Sequence, residues 1–213
     1  RNSIDLNRNF PFNWDAGHNQ KGAGDYPGSE PESKAVIDFA VKHPNIFAWL
    51  NYHCFGGVYI RPLGHKPDNK MNQEDLEIYK QLGEWTEELT GYRMVSGYEE
   101  FLYEPEKPLH GDLSEWSYEH RGAIGMVCEL WDLFKRMGVE KKPMIQRYES
   151  FTPETAEKFY DWDKKENQGN INHAHKREDT RKSFSNQLDL RKNLVSHFPE
   201  GKCDVFCTAE STC

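Results

Sequence analysis

The spacing of apolar positions along the chain changes several times, and these changes predict alternating helices and strands. A helical spacing of apolar residues runs from residue 31 to residue 43, and a mostly apolar run of strand length follows at residues 46–53. Ser29-Glu30-Pro31-Glu32 has the form of a capping box with proline in the first turn. The apolar run predicts a central strand that is covered on both faces and ends at His53.

The same reasoning predicts three more strands and three more helices. The strands are expected at residues 58–61, 92–95 and 123–130, and the helices at residues 73–90, 112–121 and 152–163. In the second helix, an apolar stripe is formed by Leu76, Tyr79, Leu82, Trp85 and Leu89. Strands that alternate with helices in this way predict an α/β fold with a mixed, largely buried central sheet flanked by helices.

Two stretches show no period. Residues 9–28 are rich in Gly, Pro, Asn and Asp, which predicts a long ordered loop of the kind that often serves a site. From about residue 165 onward, Asn, Gln, Lys, Arg and Asp dominate. We therefore divide the chain into a predicted domain, residues 1–164, and a polar tail, residues 165–213, which is expected to be peripheral or poorly ordered.

Composition narrows the range of functions. The chain has 213 residues and a net charge of −8, and no window approaches the roughly 18 apolar residues of a membrane helix. The acidic balance argues against a nucleic-acid surface, which needs clustered Lys and Arg. No compartment is assigned, because the chain begins at Arg1 and a leader cannot be read.

Five cysteines form no regular disulfide framework. Cys54 and Cys128 lie in apolar, strand-like runs and are expected to be small buried residues. Cys203, Cys207 and Cys213 lie in the tail, and their spacing carries no assignment.

Three segments hold residues that could carry chemistry. His53 ends a strand, where a hydrogen-bonded structural histidine is common, but Gly56-Gly57 nearby would leave room for a metal or a substrate. Glu129 ends another apolar strand, so it must be paired, for instance with Arg8 or Arg121, or be protonated or coordinating. Asn7-Arg8 could brace a loop or bind a free carboxylate.

Three motifs together resemble the metallocarboxypeptidase family of the pancreatic A and B enzymes. They are Asp5-Leu6-Asn7-Arg8-Asn9-Phe10-Pro11, the strand that ends at His53, and Trp116-Ser117-Tyr118 with Glu129 thirteen residues after the tryptophan. Their order is more specific than any one of them. The resemblance implies a carboxypeptidase-like fold, one catalytic Zn²⁺ and hydrolysis of the C-terminal peptide bond of peptides with a free carboxylate.

Carried over to this sequence, the resemblance implies a role for each matching residue. His53 would be the third zinc ligand, and Asn7 with Arg8 would hold the C-terminal carboxylate of the substrate. Glu129 would be the general base that activates water. Tyr103 is the best match for the mobile substrate-binding tyrosine of the family.

The sequence also departs from the family pattern. The segment at residues 104–110 lengthens the spacing after Tyr103, so Tyr98 is a second candidate for the mobile tyrosine. Ser114 matches the residue at the bottom of the side-chain pocket, but the longer loop leaves the preferred terminal residue open.

The zinc-binding His-x-x-Glu pair of the family is expected upstream of Asn7, where this chain has only a few residues. We therefore expect a fold that is incomplete at its N-terminus, and a chain that by itself is inactive or nearly so. The His-x-x-Glu sequence at His175-Lys176-Arg177-Glu178 lies in the polar tail and is interpreted as a chance occurrence.

Two alternatives stay open from the sequence. The same ligands would serve a related zinc amidohydrolase acting on cell-wall peptides or acylated amino acids. A non-catalytic module could keep Asn7-Arg8 to bind peptide C-termini, although such a module would not need both His53 and Glu129.

Overall fold

The computed structural model describes residues 4–54, 56–102, 107–139 and 152–166. These residues fall into two compact units, the first within residues 4–131 and the second made of residues 132–139 and 152–166. The predicted boundary at residue 164 stays a prediction. The tail beyond residue 166, with its three cysteines and the His175–Glu178 sequence, lies outside the described residues.

A mixed sheet organises the first unit and confirms the predicted α/β class. Its strands are β1 (Ala48–Cys54), β2 (Val58–Arg61), β3 (Arg93–Ser96) and β4 (Ile124–Leu130), in the order β1-β4-β2-β3. β4 runs parallel to β1 and antiparallel to β2, and β2 runs parallel to β3.

Helices connect these strands. In the first unit they are α1 (Pro31–Lys42), α2 (Gln73–Thr90) and α3 (Leu113–Arg121), with short 3₁₀ helices at Leu6–Arg8 and Asp68–Lys70. The second unit contains α4 (Leu133–Arg136) and α5 (Pro153–Glu166). The sequence predicted α2 and α3 to within a residue, whereas the 3₁₀ turns and α4 are too short to show a period.

Capping explains why α2 and α3 begin and end where they do. The Asn72 side chain accepts hydrogen bonds from the first turn of α2, and Asp112 does the same for α3. Gly91 and Gly122 end these helices in the left-handed conformation, at φ 73° and 62°.

The predicted capping box of α1 was wrong. The N-cap is Glu30, and no side chain caps it. The Ser29 hydroxyl instead accepts from the Asn9 side chain and donates to Glu30. Proline in the first turn was predicted correctly.

The prediction that β1 is covered on both faces was also wrong. Within the described residues β1 is an edge strand, Leu50 is 38% exposed, and Phe47 just before it is 78% exposed. β4 takes the interior position instead, because it pairs with β1 on one side and β2 on the other. In β1, the buried residues are Asn51 and His53.

The apolar stripe of α2 is buried over its first half. Leu76 and Tyr79 pack in a cluster with Leu63 and Met71, while Trp85 and Leu89 are exposed. Helix length explains the difference, since 18 residues of helix extend about 27 Å. The four-residue strands β2 and β3 beneath it extend only about 13 Å.

The predicted long loop is ordered by buried polar contacts. Asn9 is fully buried and donates to the carbonyls of Ala23 and Tyr26 and to the hydroxyl of Ser29. Next to it, Phe10 joins α1 and α3 in an apolar cluster with Ala40, Leu113 and Trp116. The loop therefore holds the start of the chain against α3.

In the second unit, Phe134, Met137 and Phe159 are buried. The Thr152 hydroxyl accepts from the backbone N–H of Thr155 at the start of α5. Across the residues that the structure describes, no helix is long and apolar enough to cross a membrane.

Gly125 allows α3 to pack closely on β4, and this contact can be tested. A Cβ at this position would lie 2.1 Å from Ser117 Oγ and 2.3 Å from the Ser114 carbonyl oxygen. We predict that Gly125→Ala lowers the free energy of unfolding by roughly 2–3 kcal/mol, because α3 must move away from the sheet. Urea denaturation followed by circular dichroism measures the change.

Gly17→Ala is the matched control, since a Cβ there would meet its nearest neighbour at 3.9 Å. Its free energy of unfolding should stay close to that of the parent protein. Equal stability of the two variants would contradict the close packing of α3 on β4.

Candidate active site

The carboxyl ends of β1 and β4 bring His53 and Glu129 together. The two strands are parallel, and His53 is directly opposite Glu129 in their register. His53 Nδ1 lies 3.8 Å from Glu129 Oε1, and both residues are at least nine-tenths buried. Residues at matching positions of neighbouring strands lie on one face of the sheet, so the register alone makes the pair.

The turn after β1 is tied to the end of β4. Gly57 has φ 64°, a conformation that glycine adopts without strain. Its N–H donates to the carbonyl of Glu129 at 2.7 Å, which ties the turn to the end of β4. The sharp turn expected from Gly56-Gly57 is present.

Asn51 orients the His53 ring. It precedes His53 by two residues, and its side-chain nitrogen lies 2.8 Å from His53 Nε2. Residues two apart in a strand share a face, which places the amide beside the ring. With Nε2 engaged in this way, Nδ1 is the ring nitrogen on the side of Glu129.

Asn7 lies in the 3₁₀ helix near the start of the chain. Asp5 caps this turn by accepting from the Asn7 N–H at 2.9 Å. The Asn7 side-chain oxygen accepts from the N–H of Leu113, the first residue of α3, at 3.0 Å. Because the oxygen is used, the side-chain NH₂ is the group that Asn7 can offer to a ligand.

The Arg8 guanidinium group is held by contacts with two neighbouring residues, Asn7 and Asp5. Its Nη1 donates to the Asn7 carbonyl at 2.7 Å, and its Nη2 lies 3.6 Å from Asp5 Oδ2. The side chain is 12% exposed. A guanidinium group has five N–H donors, so these contacts leave donors for a ligand carboxylate.

One cavity of about 80 Å³ joins these groups, which is room for several waters or one side chain. Asn7, Arg8, His53 and Glu129 all line it, and so does Ser114. These residues come from three distant parts of the chain: the first turn, the strand ends and the start of α3. The cavity is thus the meeting point of the residues that the sequence singled out.

Arg61 also lines the cavity, but its positive charge is neutralised by the carboxylate of Asp68. Its guanidinium donates to both carboxylate oxygens of Asp68, and Ser96 Oγ donates to Asp68 as well. Burial works to raise the pKa of Asp68, yet the hydrogen bonds from Arg61 and Ser96 outweigh it and lower that pKa. Arg61 and Asp68 therefore form a structural ion pair at the wall.

Glu115 contributes a buried carboxyl group to the same cavity. It is 1% exposed, and its Oε1 accepts from the Gly64 N–H at 2.5 Å and contacts His65 Nδ1 at 2.7 Å. Its Oε2 has no hydrogen-bond partner among the described residues. Burial raises the pKa of Glu115; the negative charge of Asp112 adds to the rise, and the hydrogen bond with His65 opposes it.

Sequence reasoning missed Glu115, Arg61 and Asn51. Glu115 is the third residue of α3, where a glutamate normally caps its own helix, so its position suggested an ordinary role. Arg61 ends a short strand as many surface residues do. For Asn51, the spacing of two from His53 was a usable signal, because it predicts a shared face.

The candidate tyrosines and Arg121, a suggested partner of Glu129, do not line the cavity or lie outside the described residues. Tyr103 lies outside the described residues, so its role stays a prediction. Tyr98 is half-buried and is not among the described residues that line the cavity. Arg121, one suggested partner of Glu129, donates to the Ala40 carbonyl, and Arg8, the other, lies near Asp5.

Two cysteines, Cys54 and Cys128, lie in strands of the sheet. Cys128 is buried, as expected, and burial raises the pKa of its thiol. Cys54 is half-buried, so the expectation of a fully buried residue was wrong there. Its place at the carboxyl end of the edge strand β1 accounts for this exposure.

A metal centre is not complete in this part of the protein. Within residues 4–54, 56–102, 107–139 and 152–166, no three His, Cys, Asp or Glu side chains are grouped so that they could hold a metal ion. His53 faces the cavity and could be one ligand. A catalytic zinc ion usually needs three protein ligands, so the described residues do not fit it by themselves.

Comparison with known proteins gives a family match over most of the chain. The family model described as "Zinc carboxypeptidase" matches residues 1–157. Carboxypeptidase A1 of Rattus norvegicus is 32% identical over 84 residues, which cover 35% of this chain and 19% of the rat protein. Mast cell carboxypeptidase A of Homo sapiens is 32% identical over 127 residues, 54% of this chain and 29% of the human protein.

Among solved structures, thrombin activatable fibrinolysis inhibitor matches with 25% identity and a TM-score of 0.48, over 61% of this chain and 34% of that one. The chain spans about a fifth to a third of the length of the curated relatives it matches. The family match covers far more than half of the chain and contains every described residue of the cavity. The chain belongs to the zinc carboxypeptidase family.

Proposed function

We propose that the cavity binds the free C-terminal carboxylate of a peptide, and that the chain is part of a zinc-dependent carboxypeptidase that hydrolyses the last peptide bond. One observation carries the proposal: Asn7, Arg8, His53 and Glu129 line a single cavity although they are far apart in sequence. A structural role for each residue taken alone would not require this convergence.

The Asn7-Arg8 pair suits a carboxylate. The Arg8 guanidinium can offer two parallel N–H donors, and the NH₂ group of Asn7 adds another. The pair is also preorganised, since Asp5 and Leu113 hold it by hydrogen bonds before a ligand binds. Binding of the terminal carboxylate would fix which peptide bond lies beside Glu129.

Glu129 is proposed as the general base. Its carboxylate would take a proton from the water molecule whose oxygen attacks the last peptide carbonyl carbon. When the C–N bond breaks, the same proton would pass to the leaving amine nitrogen. The position of Glu129 beside His53, in a largely buried wall, supports a role at the reacting bond.

Zinc is implied by the family, and His53 is proposed as one of its ligands. The described residues supply no complete ligand set for zinc. A non-catalytic module that binds peptide C-termini is the second candidate, since Asn7 and Arg8 are held in place by hydrogen bonds and could bind a carboxylate without hydrolysis. The role of Tyr103 in substrate binding stays a prediction.

Carboxylate binding can be tested at Arg8. We expect the chain to bind N-acylated dipeptides with a free C-terminus and to bind their C-terminal amides much more weakly, as measured by isothermal titration calorimetry. Arg8→Met should weaken binding of the free acid roughly tenfold or more, about 1.4 kcal/mol, since the bidentate contact is lost. Arg8→Lys should recover part of the affinity.

Lys70→Met is the control for Arg8, because Lys70 is an exposed cation that does not line the cavity. It should leave the affinity unchanged. Equal affinity of the protein for acid and amide would rule out the proposed carboxylate site.

The role of Glu129 can be tested by separating binding from hydrolysis. In the longest protein that the gene encodes, supplied with zinc, Glu129→Gln should lower kcat by about 10²–10⁴-fold, because the variant cannot accept the proton. Affinity for free-acid peptides should change little. Release of terminal residues, followed by mass spectrometry, measures kcat, and the exposed Glu88→Gln is the control.

If Glu129→Gln kept full activity, Glu129 would not be the base. If the parent protein bound free-acid peptides but did not trim them with zinc present, the binding module would be the correct function.

The proposed role of His53 as a zinc ligand can be tested by measuring bound zinc. Because His53 is the single ligand proposed among the described residues, we expect the chain by itself to hold well below one zinc per molecule after dialysis. In the longest protein that the gene encodes, zinc near one per molecule should be lost on His53→Gln and kept on His18→Gln, an exposed histidine. Elemental analysis gives the stoichiometry, and a His53→Gln protein that retained zinc would exclude His53 as a ligand.

A further inference from the structure

The helix α2 has an exposed apolar face as well as its buried one. Ile78, Trp85 and Leu89 are 45%, 53% and 82% exposed, and their spacing along the sequence places them on one side of the helix. From this face and the acidic residues beside it, we propose that α2 docks a basic amphipathic helix of a partner protein. The three residues do not line the cavity, so the inference is independent of the proposed function.

The exposed apolar residues of α2 have the spacing of a helix-packing seam. With Leu82 between Ile78 and Trp85, apolar residues recur at intervals of four, three and four up to Leu89. This alternation averages to the roughly 3.5-residue repeat with which two helices pack side by side. Leu82 is partly buried against the cluster of Tyr79, and the other three side chains extend the seam into solvent.

The helix that carries this seam is held firmly in the fold. Asn72 caps its start and Gly91 its end, and the Tyr79 hydroxyl on the buried face donates to the Gly125 carbonyl at 2.9 Å. Along such a helix the seam rises by about 17 Å, or three turns, which suits a helical partner of similar length. Single exposed apolar side chains are common on protein surfaces, whereas an aligned row of large ones on a preorganised helix indicates a contact surface.

Acidic side chains border the seam on its solvent side. Glu74, Gln81 and Glu88 are all exposed and occupy the positions that flank a helix-packing seam. Glu77 and Glu84, also exposed, lie one step further round the helix. Charges at flanking positions decide which helices pair, so a helix with Lys or Arg beside its own apolar row is complementary to α2.

The same acidic border disfavours other occupants of the seam. An antiparallel pair of α2 helices from two copies of the chain would bring their acidic borders together, and like charges across an interface are costly. An anionic membrane surface would be repelled as well. Lys80 is the one cation of α2, and it does not offset the border, because it contacts Glu77 and lies about 200° round the helix from Ile78.

Two synthetic peptides test the charge of the partner. Both carry leucine at alternating intervals of three and four, and the remaining positions are lysine in one peptide and glutamate in the other. Fluorescence anisotropy of each labelled peptide, titrated with the parent chain, measures the affinity. We expect the lysine peptide to bind, and the glutamate peptide to bind at least roughly tenfold more weakly.

Variants of exposed residues test the position of the site. Leu89→Gln removes the most exposed apolar side chain of the seam and should weaken binding of the lysine peptide roughly tenfold. Val41→Gln, at an exposed valine of α1, is its control. Glu88→Lys should weaken binding severalfold, and Glu119→Lys, at an exposed glutamate of α3, makes the same change in net charge elsewhere. Both controls should bind the lysine peptide like the parent chain.

The peptide comparison needs no variant, so it holds even if a substitution disturbs folding. Equal binding of the two peptides, or no binding of the lysine peptide, would overturn the proposal. So would equal losses in the controls and in the α2 variants, because the lysine peptide would then be attracted only by the net charge of −8. Sedimentation of the parent chain tests self-association, and a dimer that Leu89→Gln dissociates would make the seam a contact between copies and overturn the separate partner.

Discussion

The parallel register of β1 and β4 is the constraint on which the rest of the site depends. It sets His53 opposite Glu129 and, two residues earlier, places Asn51 on the same face as His53. A shift of one residue between these strands would turn one of the two side chains to the other face of the sheet. The turn after β1 supports this register, because the Gly57 N–H donates a hydrogen bond to the Glu129 carbonyl.

A second constraint joins the start of the chain to α3. The Asn7 side chain binds the N–H of Leu113, and the buried contact between Phe10 and Trp116 lies next to it. The first turn of the chain is thus part of the packing of α3, and α3 in turn packs on β4 because Gly125 has no side chain. The position of the proposed carboxylate site would therefore depend on how α3 packs.

Buried charge is handled in two different ways around the cavity. Arg61 is neutralised by a two-point contact with Asp68, which is the usual condition for keeping an ion in a protein wall. Glu115 has His65 and a backbone N–H on one oxygen and no partner among the described residues on the other. This difference is why Arg61 is interpreted as part of a structural ion pair, whereas the Glu115 carboxyl group is only partly satisfied.

Much of the fold was determined by the sequence itself, because the signals are local. The caps at Asn72 and Asp112 and the glycines at 91 and 122 set the ends of α2 and α3. The apolar runs placed β2, β3 and β4 to within one residue and β1 to within two. The sequence also named Asn7, Arg8, His53 and Glu129, since their residue types and order carry the family resemblance.

Tertiary structure decided what local patterns cannot encode. Among the residues that the structure describes, strand order makes β1 an edge strand and β4 an interior one, although both are apolar runs of similar length, because burial depends on neighbours that are distant in sequence. The same is true of Glu115: its place in α3 predicts a capping residue, and only the approach of Gly64 and His65 shows that it lies in the cavity wall. Local sequence thus determined the elements and the candidate residues, while long-range packing decided which of those residues meet in one cavity.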